Sequence, residues 1–409
     1  PEYLDMLEGR GVAPNVSCFV GHSSVRTYVL QEDASRRAAT SKEVESMRAI
    51  VIEAMEAGAC GFATTRYPGH NGENGIPMPS RLADEAEMMS LSSALKDLGR
   101  GVLMMTKSFD MAISDIEKLS AAAERPYLIA ALLHSHLVPN KTFSDLSAIR
   151  EAQARGNRLY GAVSPCPLTM DFSFWSPYPL EGFSCWKPMM SLNADAYKAS
   201  LADPVFRKSF MDELNDGEVK VFSGQWDKIH VAQVGNPDNL VFEGKSIAVL
   251  ADEAKKPPFD FMLDLALEEN LETMFTATIM NSDEDAVGRM MNDENAIISL
   301  SDAGAHLTFL CDAGFGLHVL GHWVRDKGIL SLERAVHKLT LEPARLFGIK
   351  NRGYIDKGAW ADLLLFDPKT VNRGPSHRLH DLPAGASRLT TPPIGVHGVW
   401  VNGRQVANG

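Results

Sequence analysis

From the start of the chain to about residue 310, short apolar runs alternate with longer stretches whose apolar residues recur at helical spacing. This is the pattern of successive βα units. The candidate strands are 15–21, 59–65, 102–107, 127–134, 159–164, 274–280 and 297–301. Between the first two lies a well-marked helix. Thr40 and Glu43 form a capping box, Val44, Met47, Ile50, Val51, Ala54 and Met55 make one apolar stripe, and Gly58 closes it. Segments 82–98 and 113–123 carry the same period.

Residues 160–226 break the alternation and are rich in aromatic, proline and methionine residues. Phe172, Phe174, Trp175, Tyr178, Phe183 and Trp186 read as the packing of an insertion that needs its own small core. A helix closing at Phe347-Gly348 ends the repeating pattern. Strand 361–367 follows, and then a strand, an Asn402-Gly403 turn and a returning strand, which predicts a hairpin. The chain therefore divides into residues 1–348, with an irregular insertion at about 165–240, and a small strand-rich module at 349–409.

Composition narrows the class. The chain has 409 residues, 45% hydrophobic and 22% charged, as expected of a soluble globular protein with a large core. A net charge of -12 without any basic block argues against a nucleic-acid partner. No apolar run reaches the roughly 18 residues that a membrane span needs. Five scattered cysteines without CxxC spacing fit reduced thiols, so the expected compartment is the cytoplasm.

Proteins built of βα units place reactive groups at the C-terminal ends of their strands. The run Ile297–Ser301 delivers Asp302, followed by two small residues and then, two positions on, His306. A carboxylate there can bind a metal and relay a proton, or it can simply cap the next helix. The first strand ends in His22-Ser23-Ser24-Val25-Arg26 and the second in Arg66, and either arginine could hold an anionic group. The third ends in Lys107, open to Schiff-base or carbamate chemistry or to solvent. The fourth ends in His134-Ser135-His136, where strand alternation would point both imidazoles to one side, able to share an ion. Two histidines fall short of the three protein ligands of a catalytic zinc. His318 and His322 stand one helical turn apart, but Val319 occupies the place of a zincin glutamate, so they read as a helix face.

In order, several segments resemble the amidohydrolase superfamily, and within it the D-aminoacylase (N-acyl-D-amino-acid deacylase) group. They are Val20–Arg26, Glu56–Thr64, Ser301-Asp302-Ala303-Gly304, Pro343–Gly348 and Gly353-x-Ile355-x-x-Gly358-x-x-Ala361-Asp362-Leu363. The resemblance implies a (β/α)8 TIM barrel with a small β-sandwich module, and zinc-dependent hydrolysis of a small-molecule amide with one or two ions. Asp302 matches the family's proton-relaying carboxylate, and His134 or His136 matches a metal histidine. His22, Arg26, Arg66 and His306 become the candidates for holding substrate. Homo-oligomerisation is left open.

Three departures stand out. The family's first barrel strand carries a His-x-His metal motif and its second a metal-bridging cysteine, and neither is present here. The strand end at Val102–Asp110 offers Met104-Met105-Thr106-Lys107 where the family often has a histidine. Six barrel strands of eight are recognisable, beginning with what would be the third. The expectation is a longer enzyme lacking its N-terminal part, inactive in this form. Two other readings stay open: a non-catalytic scaffold, and a metal-dependent barrel enzyme cleaving a cyclic amide or a C–C bond.

Overall fold

The computed structural model describes residues 2–72, 75–217, 221–299, 301 and 307–408. Asp302 and His306 lie outside the described residues. Helix α1 (Glu2–Arg10) precedes the first strand and buries none of its residues. The repeating part then runs β1 (Phe19–Gly21), α2 (His22–Leu30), α3 (Ser41–Glu56), β2 (Gly61–Thr65), α4 (Glu85–Leu98) and β3 (Val102–Thr106). It continues through α5 (Ile113–Ala123), β4 (Tyr127–Leu132), α6 (Lys141–Ala154) and β5 (Leu159–Val163). The capping box of Thr40 and Glu43 is formed, and Met47, Val51 and Met55 are the buried face of α3. Asp84 caps α4, and Gly99, at φ 64°, ends it in the left-handed conformation.

Between β5 and the next parallel strand the chain builds a second unit. Strands β6 (Leu168–Phe172), β7 (Ile229–Gln233) and β8 (Met274–Met280) form an antiparallel sheet in the order β6-β8-β7. Helices α7 (Ala194–Ala202), α8 (Pro204–Leu214), α9 (Ile247–Ala254) and α10 (Pro258–Glu268) cover it. Its core includes the fully buried Phe174, Trp186, Phe210 and Phe275. The aromatics of this region are packing, as the sequence suggests. Two expectations need correction. The insertion extends to residue 280, and 274–280 is its central strand instead of a member of the parallel sheet. A seven-residue stretch with five apolar residues and two threonines looks the same in either setting.

After α11 (Glu284–Asn292), β9 (Ala296–Ile298) pairs with β5. The parallel sheet is six-stranded in the order β1-β2-β3-β4-β5-β9, and β1 and β9 are its outer strands among the described residues. Then α12 (Phe315–His318) runs on as a π-helical stretch (Val319–Asp326), followed by α13 (Leu332–Leu339) and α14 (Leu341–Phe347). The C-terminal module contains β10 (Leu363–Phe366), β11 (Asn372–Arg373), β12 (His377–Leu379), β13 (Arg388–Thr390) and β14 (Pro393–Ile394). Its hairpin, β15 (Val396–Val401) and β16 (Arg404–Asn408), turns at Asn402-Gly403 as the sequence predicts.

Alternation gives the parallel sheet two unlike faces. Phe62, Leu103, Met105, Ile129, Leu159 and Ile298 join the large core under the helices. Val102, Leu128, Ala130, Ala162 and Ile297 point the other way, into a small core closed by Leu346 and Phe347 of α14. This is the barrel-type arrangement of a parallel sheet with helices outside and a packed interior.

Candidate active site at the C-terminal rim of the parallel sheet

The phase of each strand decides which residue at its C-terminal end can face the interior. Phe19 belongs to the inner core, so Gly21 is in phase with it and His22 is not. His22 lies on the helix side, where Nδ1 is 2.8 Å from Thr64 Oγ1 and Nε2 is 2.7 Å from Glu87 Oε1 on α4. Arg26 grips the other oxygen of Glu87 and donates to the carbonyl of Arg37. Arg26 is 0% exposed and His22 1%. Burial holds the His22 pKa below its ordinary value, so the ring is neutral, donating to Glu87 and accepting from Thr64. Burial works against the charge of Glu87, but hydrogen bonds from His22 and Arg26 overcome it and keep its pKa low.

The substrate-holding role expected of His22 and Arg26 is therefore corrected. Both are consumed in a sealed cluster behind the sheet. Arg66 braces the adjoining loop through the carbonyls of Arg81 and Ala83. Lys107 likewise falls on the helix side. Its Nζ is 3.0 Å from Asp145 of α6, which also takes Lys141 at 2.8 Å, so Lys107 serves as an ion-pair partner. Thr65 and Thr106 are the inward residues at these two strand ends, and Thr65 Oγ1 lies 2.7 Å from His70 Nδ1. His70 was not singled out from sequence, because it sits in a loop without periodicity.

At β4 the strand ends at Leu132, so His134 and His136 follow it in a turn and strict alternation does not govern them. His134 is buried and His136 exposed. Neither imidazole makes a hydrogen bond among the described residues. Burial and the neighbouring His134 hold His136 below its ordinary pKa, leaving a neutral donor ring. Asn281, at the exit of the insertion, fixes this corner. Its amide donates to the carbonyls of Ser164 and Cys166, both at 2.8 Å, and its oxygen accepts the His134 N–H at 3.2 Å. Its own N–H donates to the His134 carbonyl at 2.8 Å. The available sequence signal was an asparagine directly after the run 274–280, a residue type that tolerates the left-handed conformation it adopts here, at φ 62°.

As a metal site the rim is partial. Two imidazoles without hydrogen bonds among the described residues suit a zinc ion, but no group of three or more His, Cys, Asp or Glu able to hold a metal occurs among those residues.

Beyond β5 and the segment after β9 lies a cavity of about 590 Å³. It is lined by β6 and β8 of the insertion, residues 309–312, His318 and His322, and β11–β13 of the C-terminal module. The module pins these walls together. Arg373 meets Asp312 at 2.7 Å, and Arg378 meets Asp171 at 2.8 Å. The sequence had offered the module no part in any site.

Comparisons place this geometry among known proteins. A model described as "Amidohydrolase family" matches residues 228–407. An uncharacterized protein of Mycobacterium tuberculosis is 27% identical over 403 residues, covering 90% of this chain and 63% of the relative. The chain thus spans less than two thirds of that relative's length. D-aminoacylase of Alcaligenes xylosoxydans xylosoxydans is 26% identical over 408 residues, covering 99% of this chain and 69% of the enzyme. Among solved structures, N-acyl-D-glutamate deacylase from Bordetella bronchiseptica, complexed with zinc and a phosphonate inhibitor, matches with a TM-score of 0.61 and 21% identity. That match covers 99% of this chain and 71% of the other, and it is a likeness of fold.

Proposed function

Given that this chain belongs to the amidohydrolase superfamily, in its D-aminoacylase group, we propose that its protein hydrolyses the C–N bond of a non-peptide amide, with N-acyl-D-amino acids as the substrate class. The observation that carries this reading is the presentation of His134 at the C-terminal rim, buried, without a side-chain hydrogen bond among the described residues and beside His136. His134, His136 and Asp302 are this chain's proposed donors to zinc, which when bound would supply an acidified water. Asp302 is the proposed proton shuttle. Asn281 holds the His134 backbone from both sides and keeps the imidazole at the rim.

The test is release of acetate from N-acetyl-D-amino acids by the metal-loaded protein, read alongside its zinc content. Release that stops with a chelator and returns with zinc supports the proposal. Stoichiometric zinc without release from either enantiomer overturns it. Absence of stoichiometric metal would instead identify a non-catalytic scaffold.

A further inference from the structure

At the N-terminal end of the parallel sheet, away from the rim, two thiols occupy adjacent places on neighbouring strands. Phe19 of β1 pairs in register with Gly61 of β2, and Cys18 and Cys60 each come one residue earlier on the same two strands. The Cys60 N–H donates to the Cys18 carbonyl at 2.9 Å, and the Ser17 hydroxyl donates to the Gly58 carbonyl at 3.1 Å. Two hydrogen bonds therefore hold the approach to β1 against the turn that enters β2. Both cysteines are half-buried and neither is in a disulfide. Cys166, Cys185 and Cys311 belong to other parts of the fold: the turn after β5, the insertion and the segment after β9.

Neighbouring strands run about 4.7–4.9 Å apart, and a disulfide spans Cα atoms about 4.4–6.8 Å apart. Residues opposite each other on parallel strands also send their side chains to one side of the sheet. The backbone at Cys18 and Cys60 thus meets the spacing that a cross-link needs. Burial raises the Cys60 pKa above its ordinary value; the Ser17 hydroxyl offsets part of that rise, and nearby Cys18 adds to it. The thiolate is the attacking form of a cysteine, so the first attack on an oxidant falls to Cys18 and the closing step to Cys60. The location gives a link something to do. β1 is an outer strand among the described residues and pairs with β2 through only three residues, so this end of the sheet is prone to local opening.

We propose that Cys18 and Cys60 are a dithiol that closes to an intramolecular disulfide when the protein meets a small disulfide oxidant such as oxidised glutathione. The Cys18 thiolate attacks one sulfur of the oxidant, breaks its S–S bond and releases one glutathione thiolate. The Cys60 thiolate then attacks the Cys18 sulfur of the mixed disulfide and releases the second glutathione. The two protein thiols give up two electrons and two protons, and the oxidant takes both and leaves as two thiols. The link closes a loop from residue 18 to residue 60 and staples the outer strand to its neighbour, so the oxidised form is the more stable. No part of this chemistry depends on amide hydrolysis.

Peptide mapping without reductant tests the pair on the wild-type protein. Trypsin leaves Cys18 in peptide 11–26 and Cys60 in peptide 49–66, each with a single cysteine. The folded, reduced protein is incubated with excess oxidised glutathione, its remaining thiols are alkylated, and it is digested. The two peptides should be recovered joined, from protein that migrates as one chain, and dithiothreitol should separate them. The oxidised protein should melt a few degrees above the reduced form, a shift absent from Cys18→Ser and Cys60→Ser. In Cys60→Ser protein, Cys18 should instead retain one glutathione. Recovery of both wild-type peptides alkylated, or each carrying glutathione with no joined species, would overturn the proposal. So would a join found only between two chains.

Discussion

Thr64 Oγ1 sits 2.8 Å from His22 Nδ1, on the helix side of the parallel sheet. That contact shows which way the first two strands are turned, and it removes His22 and Arg26 from the rim. The cluster of His22, Arg26, Glu87 and Thr64 is structural instead, tying α2, β2 and α4 together in a buried environment.

Glu87→Ala should therefore be strongly destabilising and have little effect on ligand binding. Removing it leaves the Arg26 guanidinium buried without its carboxylate, and breaking such a pair costs about 3–5 kcal/mol. Denaturant unfolding should show that loss. Titration of N-acetyl-D-leucine with the remaining folded protein should give an unchanged Kd.

Asn281→Ala should loosen the corner that presents His134. The substitution leaves the Ser164 carbonyl and the His134 N–H without the Asn281 side chain, while the Cys166 carbonyl keeps only the Ser164 hydroxyl. Each such loss in a buried setting costs about 1–3 kcal/mol. Thermal unfolding checks the stability. Zinc titration checks the consequence for His134, with affinity expected to fall by about 10- to 100-fold, as for removal of a group that orients a ligand.

Gly321→Ala should weaken the seat of the C-terminal module. A Cβ at residue 321 would lie 2.4 Å from the Val371 carbonyl and 2.8 Å from the Asn372 side chain. Neither the backbone of β11 nor Arg325, which donates to the same carbonyl at 2.6 Å, can give way freely. Overpacking of this kind costs about 1–3 kcal/mol. Limited proteolysis should cut ahead of residue 372 faster in the variant than in the wild type.

Stability should fall as pH drops from 7 towards 5. Burial, then the nearby Arg373 and His322, lower the His318 pKa from 6.5 to about 3, against the weaker opposite pull of Glu284 and Asp326. His22 is also lowered, chiefly by burial. Between the folded and unfolded values the unfolded chain binds protons that the folded chain refuses, so stability is present above pH 6.5 and declines below it. The His318 share is on the order of 1–2 kcal/mol at pH 5. His318→Gln should flatten the dependence of unfolding free energy on pH over this window, while an unchanged slope would count against the low pKa.

Local signals in the sequence were readable where chemistry is local. Thr40 and Glu43 announced the start of α3, and Asn402-Gly403 announced the hairpin, because caps and tight turns are decided by a few adjacent residues. The order of parallel strands followed from the alternation of apolar runs. What failed needed long-range information. Met274–Met280 is apolar enough for a buried parallel strand, and only its pairing with β6 and β7 places it in the insertion. The inward or outward phase of His22 and Lys107 depends on the partners Glu87 and Asp145, which arrive from distant helices. Arg373 and Arg378 carried no motif at all, and their relation to the cavity exists only once β11–β13 fold against residues 307–312.

Amide hydrolysis by this protein, as proposed, depends above all on Asp302 moving the proton. The most direct measurement is the turnover of N-acetyl-D-amino acids by zinc-loaded Asp302→Asn protein, with the unfolding transition recorded on the same sample. The expected result is loss of turnover by at least about a hundredfold, the lower scale of a lost general acid–base group, with an unchanged unfolding transition. Turnover equal to wild type in that variant would contradict the proposed role of Asp302.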